Sequence, residues 1–457
     1  MPSPYLLATF ANPATFVRLV SMKIPPRIAV PVGFAILCAA GVLLLVWWQL
    51  RESAQLLQSP TGGSGVTLSD LTPSITPTAA IDPRDRALLH LRQGDLLALK
   101  GDWAGAEKEY RASVENDGGL PALRKLAQAQ LQRRDIEGMQ RTLRSLRSAG
   151  ARSEDLLLLE SIVALRTGEL VQARNLLTNA GDSPQKHYGL ALLAVVEGNH
   201  PQAQIELQAV AAGWEPVLRS YGRSIQAAYD EFALFPESTE IHLTTLLSRA
   251  LAQVHECELA LPMLTSVIAA QQDYRDAWIV QGYCELTTER FDSAVASLEN
   301  AYNLDPSKPE IQYFLARAYS ARGERENAIT FLEYSLQNGF EPQAEIHRAI
   351  ALEANLSGKT MLALEHFALL ASAPDATVAD YEGYVKSAII AGQKDDAYAK
   401  AQEAVAKFPD DATAHELLGL AATELEKIEE ARISFKKALE IDPYRESVKE
   451  RLKALGE

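Results

Sequence analysis

Apolar and small residues recur along the second half of this chain with two superposed periods. Within stretches of about a dozen residues they fall three and four positions apart, the spacing of one helical face. Over longer distances the whole scheme returns about every 34 residues, in windows beginning near Ile241, Arg275, Pro309, Ala344, Val378 and Ala412. With the Arg275 and Ala412 windows aligned, Trp278 meets His415, Gly282 meets Gly419, Phe291 meets Ile428, Ala294 meets Ala431, Ala301 meets Ala438 and Pro306 meets Pro443. A fixed period of this size predicts a solenoid of stacked two-helix units.

The residue types assign the parts of each unit. Gly323, Gly358 and Gly392 fall between the two helical stretches, where a helix ends in a left-handed residue. Small residues (Gly282, Ala316, Ala351 and Gly419 in the first helix; Ala294, Ala328, Ala363, Ala397 and Ala431 in the second) predict a close helix–helix approach. Phe291, Leu298, Leu332, Phe367, Ile428 and Phe435 fill the remaining space. Pro306, Pro409 and Pro443 stop second helices, because a residue before proline disfavours helix. Upstream the scheme degenerates but persists: Gly94, Gly101, Ala106 and Tyr110; Ala127; Gly168 and Ala173; Ala191, Gly198 and Ala203. The count is about ten repeats, four before residue 213 and six after 240. The register breaks between them, and Trp214 to Phe235 reads as one added helix. Its apolar face is Trp214, Leu218, Tyr221, Ile225, Ala228, Tyr229 and Phe232. That helix either caps or wedges between two sub-solenoids, or lies in a groove of its own chain.

The windows resemble the tetratricopeptide repeat family, best over 275–443. The resemblance implies an all-α chain, an α-solenoid of helix-turn-helix repeats. It also implies that the first helix of each pair lines a concave groove. Mapped onto this sequence, the groove places are Tyr283, Tyr313, Arg317, Arg348, Asn355 and Lys386 in the C-terminal half. In the N-terminal half they are Leu158, Ile162, Leu165, Leu192 and Val195. Three cations on successive repeats suit a carboxylate or acidic peptide; alternatively they pair with Glu345, Glu382 or Glu416 on neighbouring helices. The apolar N-terminal groove suits an amphipathic helix, unless helix 214–235 or the curl of the superhelix covers it. The clamp that some members use for chaperone C-termini is not carried over, because Leu91 and Gln128 stand where its residues belong.

A second pattern precedes the repeats. Ile28 to Leu50 contains no charge and is long enough to cross a bilayer as a helix. It ends in Trp47-Trp48, which suits a membrane interface and not a cleavage site. Arg18, Lys23 and Arg27 precede it without an acid, while only Arg51 and Glu52 follow closely. The expected topology is a single-pass inner-membrane anchor with the N-terminus in the cytoplasm and the solenoid periplasmic or extracellular. The expected organisation is therefore a tail (1–27), a transmembrane signal anchor (28–50), a Ser/Thr/Pro/Gly-rich flexible linker (51–81), a degenerate sub-solenoid (82–212), an extra helix (213–240) and a regular sub-solenoid (241–457).

Charge and chemistry narrow the function. The net charge is −15, and after Ile241 there are 21 Lys and Arg against 35 Asp and Glu. That balance argues against nucleic acid as a partner. Cys38 falls in the apolar run, and Cys257 and Cys284 sit in neighbouring windows as either a disulfide or two buried thiols. The eight histidines are scattered, and no metal, phosphate-loop or nucleophile motif appears, so neither an enzyme nor a cofactor is expected. The reading is a membrane-anchored scaffold for protein partners. It resembles bacterial inner-membrane proteins with periplasmic repeats of this family in envelope, pilus or secretion assemblies. A cytoplasmic-facing adaptor with an inverted anchor, and an accessory factor of envelope glycan synthesis, are the alternatives.

The anchor is directly testable. The intact chain should fractionate with membranes, resist carbonate extraction and migrate at full length. A shortened soluble form beginning after Trp48 would identify 28–50 as a cleaved signal instead.

Overall fold

The computed structural model describes residues 82–456 apart from Pro236. The tail, the anchor and the linker (1–81) lie outside the described residues. Among the described residues every regular element is a helix, and the 22 helices follow one another in antiparallel pairs. The first four pairs are α1 (Pro83–Leu99) with α2 (Trp103–Glu115), α3 (Gly119–Arg133) with α4 (Ile136–Ser148), α5 (Ser153–Arg166) with α6 (Leu170–Asn179), and α7 (Pro184–Val196) with α8 (His200–Ala212). The unpaired α9 (Pro216–Ala233) follows. Six more pairs run α10 (Glu240–Gln253) with α11 (Cys257–Ala270), α12 (Arg275–Thr287) with α13 (Phe291–Leu304), α14 (Pro309–Ala321) with α15 (Arg325–Gln337), α16 (Gln343–Leu356) with α17 (Thr360–Ala371), α18 (Val378–Ile390) with α19 (Lys394–Lys407), and α20 (Ala412–Glu424) with α21 (Ile428–Ile441). A short α22 (Glu446–Ala454) ends the stack.

The turn inside each pair sets the period. A left-handed residue stands there in all ten repeats: Gly101, Arg134, Gly168, Gly198, His255, Glu289, Gly323, Gly358, Gly392 and Glu426. At Gly323 that conformation carries no steric penalty, whereas at Glu289 the Cβ crowds the backbone. Four repeats thus keep the turn without glycine, and sequence reading alone does not find them. Second helices end where proline was expected to end them, at Leu304, Lys407 and Ile441.

Packing within a pair depends on the small positions. A Cβ built on Gly282 would land on Leu298, and one built on Gly419 would land on Phe435. Ala294, Ala328, Ala363, Ala397 and Ala431 are fully buried. First helices of successive repeats touch one another, as α10 does α12 and α16 does α18, so they form the inner layer.

α9 packs against both α8 and α10 and touches α7, so it is a wedge that carries one sub-solenoid into the next. Its buried face is Ile225, Ala228 and Tyr229, with Leu218, Tyr221 and Phe232 partly buried beside them. Trp214 does not belong to that face. It precedes the helix and is 76% exposed, because Pro216 starts the helix two residues later. The cysteines face across a repeat boundary: Cys257 of α11 and Cys284 of α12 form a disulfide with Cα atoms 5.0 Å apart.

Overpacking tests this register. Ala294→Leu or Ala397→Leu should destabilise the soluble part by about 1–3 kcal/mol in urea melts, while the exposed Gln337→Ala should change stability by less than about 0.5 kcal/mol. Lys427, exposed just before α21, is not a neutral control: its ammonium sits 3.6 Å from the centre of the Tyr398 ring. Equal melts for all three variants would show that the repeat register is wrong.

Candidate functional site

The inner layer of α12, α14, α16, α18 and α20 presents equivalent positions at each repeat step. Part of that surface is closed by its own chain. Tyr283 is buried, edge-on to Phe314 with ring centres 5.3 Å apart, and burial raises its phenol pKa. Tyr313 is also buried, stacked on Phe340 at 4.5 Å, and its hydroxyl donates to Glu345. Burial pushes its pKa up, with Glu345 adding to the shift and Arg317 opposing it. These two tyrosines are corrected from groove contacts to core. Their rings meet Phe314 on α14 and Phe340 in the turn between α15 and α16, and this packing takes them out of the groove.

The cations divide. Arg348 reaches across the repeat step to Asp380, with Nε and a terminal nitrogen 3.0 and 2.7 Å from one carboxylate oxygen. Asp380 is buried at the start of α18 and also accepts from the Thr377 amide and hydroxyl at 2.9 and 2.7 Å. Burial favours its neutral form, but the Thr377 bonds and then Arg348 outweigh that and hold its pKa below the ordinary aspartate value. Arg348 is therefore a structural tie between repeats. Asn355 makes a similar tie, donating to the Ser387 hydroxyl at 3.2 Å. Lys386 pairs with Glu382 on its own exposed helix face at 2.5 Å. Arg317 lies exposed over the Tyr313 ring, 5.7 Å from its centre. Lys386 does meet Glu382, but within α18 and not across neighbouring helices as expected, while Glu345 is taken by Tyr313 and Glu416 by Arg445.

Three residues that the sequence reading passed over complete this surface. Leu352 stands one repeat after Arg317 and one before Lys386, at the same helical position, and is 51% exposed. Leu356 and Ile390, 34 residues apart at the ends of α16 and α18, are 65% and 72% exposed. The repeat period was the available signal: stepping from Arg317 to Lys386 passes through Leu352.

The N-terminal surface is closed. Leu192 and Val195 are 3% and 1% exposed, inside the main core, and Leu165 is buried beside them. Leu158 packs against that core and Ile162 is half-buried. Leu192 and Val195 are thus corrected from groove lining to core. On this side α11 touches both α5 and α7 as the superhelix curls back, and α9 touches α7 as well. Two ion pairs fasten the closure. Arg166 forks onto Glu256 at 3.0 and 3.1 Å, and Arg134, the left-handed turn residue of the second repeat, reaches Glu258 at 2.7 Å. Burial raises the Glu256 pKa, while Arg166 pulls it down.

The histidines are structural partners. His90 and His187 meet Glu109 and Glu206, each 19 residues on, and His347 meets His366 at the same spacing. No group of three or more His, Cys, Asp or Glu suited to a metal ion occurs among the described residues.

Comparison with known proteins agrees with this architecture. Two tetratricopeptide repeat profiles match, one over residues 245–302 and 385–446, the other over 285–352. A Dictyostelium discoideum protein described as DnaJ homolog subfamily C member 7 homolog is 27% identical over 139 residues, 29% of this chain and 26% of that protein. The chain thus spans about a quarter of that relative's length. Among solved structures, YrrB, described as a TPR protein with an unusual peptide-binding site, is 18% identical with a TM-score of 0.37. That match covers 42% of this chain and 97% of YrrB. PilW, described as a widely conserved type IV pilus biogenesis factor, is 16% identical with a TM-score of 0.37, covering 47% and 100% of the two chains.

The closure makes its own prediction. Glu256→Ala leaves the buried Arg166 without its directly paired carboxylate and should cost about 3–5 kcal/mol, with hydrogen exchange rising in α5 and α11 together. A melt within about 0.5 kcal/mol of wild type would show that the two halves do not depend on this pair.

Proposed function

With tetratricopeptide repeats over residues 245–352 and 385–446, we propose that this chain is a membrane-anchored scaffold that holds a segment of a protein partner against the inner surface of α14, α16 and α18. The observation that carries this reading is the run of exposed apolar side chains there. Leu352, Leu356 and Ile390 lie on first helices whose equivalent positions carry Arg317 and Lys386. Exposed leucines on an otherwise well-packed inner layer are unfavourable in water and favour a covering chain. A partner segment with apolar side chains spaced for these residues, and a carboxylate for Arg317, matches the surface. Arg348 and Asn355 act beneath it by holding α16 to α18.

The uncharged stretch 28–50 supplies the anchor, and the positive flank before it supports a cytoplasmic N-terminus with the solenoid on the far side. The Cys257–Cys284 disulfide supports the same side, since such bonds persist in oxidising compartments. In a bacterium this is the arrangement of a periplasmic assembly factor for an envelope, pilus or secretion complex.

A photo-crosslinking amino acid placed at Leu352 of the full chain in its own cells should capture a defined protein. Capture should fall at least tenfold in Leu356→Gln/Ile390→Gln, and should fall with rising salt in wild type but less steeply in Arg317→Ala, with the melting temperature unchanged in all variants. Equal capture by every variant would place the partner elsewhere on the solenoid.

A further inference from the structure

The repeat register exposes an unfilled place at the start of the solenoid. In five first helices the residues five before and two after the small residue of the pair are apolar and face the preceding repeat. They are Ala122 and Ala129 around Ala127 in α3, Leu156 and Val163 around Ser161 in α5, Ala277 and Cys284 around Gly282 in α12, Ile311 and Ala318 around Ala316 in α14, and Ala414 and Ala421 around Gly419 in α20. All ten are buried, at 8% exposure or less. Cys284 shows directly what covers that face, since its sulfur is bonded to Cys257 on the second helix of the repeat before. In α1 the same two positions are Leu89 and Leu96, and they are 56% and 54% exposed. Leu88 and Leu99 extend the patch at 46% and 85%. The opposite face of α1 is packed: Ala87 and Gly94 are buried, and a Cβ at Gly94 would land on the Tyr110 ring of α2. α1 is therefore apolar on two sides, the composition of an internal helix. The other end of the stack is finished differently. α22 buries only Val448 and turns Glu446, Lys449, Glu450, Arg451 and Lys453 outward, as a solenoid cap does.

We propose that residues 66–81 of the same chain fold back along α1 and take the place of the missing preceding helix. They run directly into α1 and carry Val66, Leu68, Leu71, Ile75 and Ile81. Pro73 and Pro77 forbid an uninterrupted helix there, so the cover is an extended strap. Reach is sufficient. α1, with 17 residues, is about 25 Å long, and 14 extended residues from Leu68 to Ile81 span up to about 45 Å. At about 3.1 Å per residue, Leu68, Leu71 and Ile75 extend over about 22 Å, enough to cover the roughly 17 Å from Leu88 to Leu99. Area argues against a second copy in this place. One helix face offers on the order of 250 Å² per partner, against about 800 Å² in a stable dimer. A tethered strap needs no such area, because its local concentration is in the millimolar range.

The experiment places a photo-crosslinking amino acid at Leu96 of the full chain in detergent micelles and in membranes. The expected product is an adduct to residues 66–81 of the same chain, at monomer mobility, with yield reduced at least fivefold by Leu68→Ser/Leu71→Ser/Ile75→Ser. Exchange of the α1 amides should quicken in that variant, while α12 to α21 stay protected, which shows that the fold is intact. An adduct to α1 of another chain would replace the strap with a second copy. An adduct to lipid, found only in membranes, would replace it with the bilayer. Unchanged yield in the triple variant, or no adduct at all, would also overturn the strap.

Discussion

The close approach within a repeat rests on one steric fit, in which a residue without a side chain on the first helix receives a large one from the second. Leu298 fills the space that a Cβ at Gly282 would need, and Phe435 does so at Gly419. The fit fixes how closely the pair approaches, and the left-handed turn fixes where the second helix begins. With both set, the next repeat has one position available to it. A left-handed turn in each of the ten repeats, with a close helix pair around it, produces the solenoid. The stability of such a stack is nearly a sum of repeat and neighbour terms, which is why the degenerate N-terminal repeats hold together beside regular ones.

The sequence was most legible where this constraint acts. Alanines and glycines at a fixed step marked the ten repeats, and a lapse in the step marked α9. It was less legible where packing is decided across repeats. Tyr283 and Tyr313 occupy groove positions by register, yet their rings find Phe314 and Phe340 and leave the surface. Leu352 carries no charge to mark it, although Arg317 and Lys386 hold the same position one repeat away on either side. Leu192 and Val195 are buried in the main core on a helix that both α9 and α11 reach, α11 about 65 residues downstream, through a curl that no local pattern encodes. Turn residues such as His255 and Glu426 carry no signal of their left-handed backbone, since the fold imposes it.

The curl divides the two halves by role. In the N-terminal half the inner surface is spent on closing the molecule upon itself, with Arg166 and Arg134 tied to Glu256 and Glu258. The C-terminal half keeps its inner surface open and apolar in places. The acidic excess after Ile241 then surrounds a small patch holding Arg317 and Lys386, so a carboxylate arriving there leaves a repelling field for a local attractive one.

The disulfide between α11 and α12 has a mechanical meaning. Glu256, Cys257 and Glu258 are consecutive, so the residue that staples the next repeat lies between the two that clasp the earlier ones. If the chain is tethered at one end and loaded at the other, tension passes straight from Cys257 to Cys284 through the sulfurs. The residues between them are withheld from extension, and the clasp cannot be peeled away by unravelling α11. The junction of the two halves then carries load along the chain without lengthening.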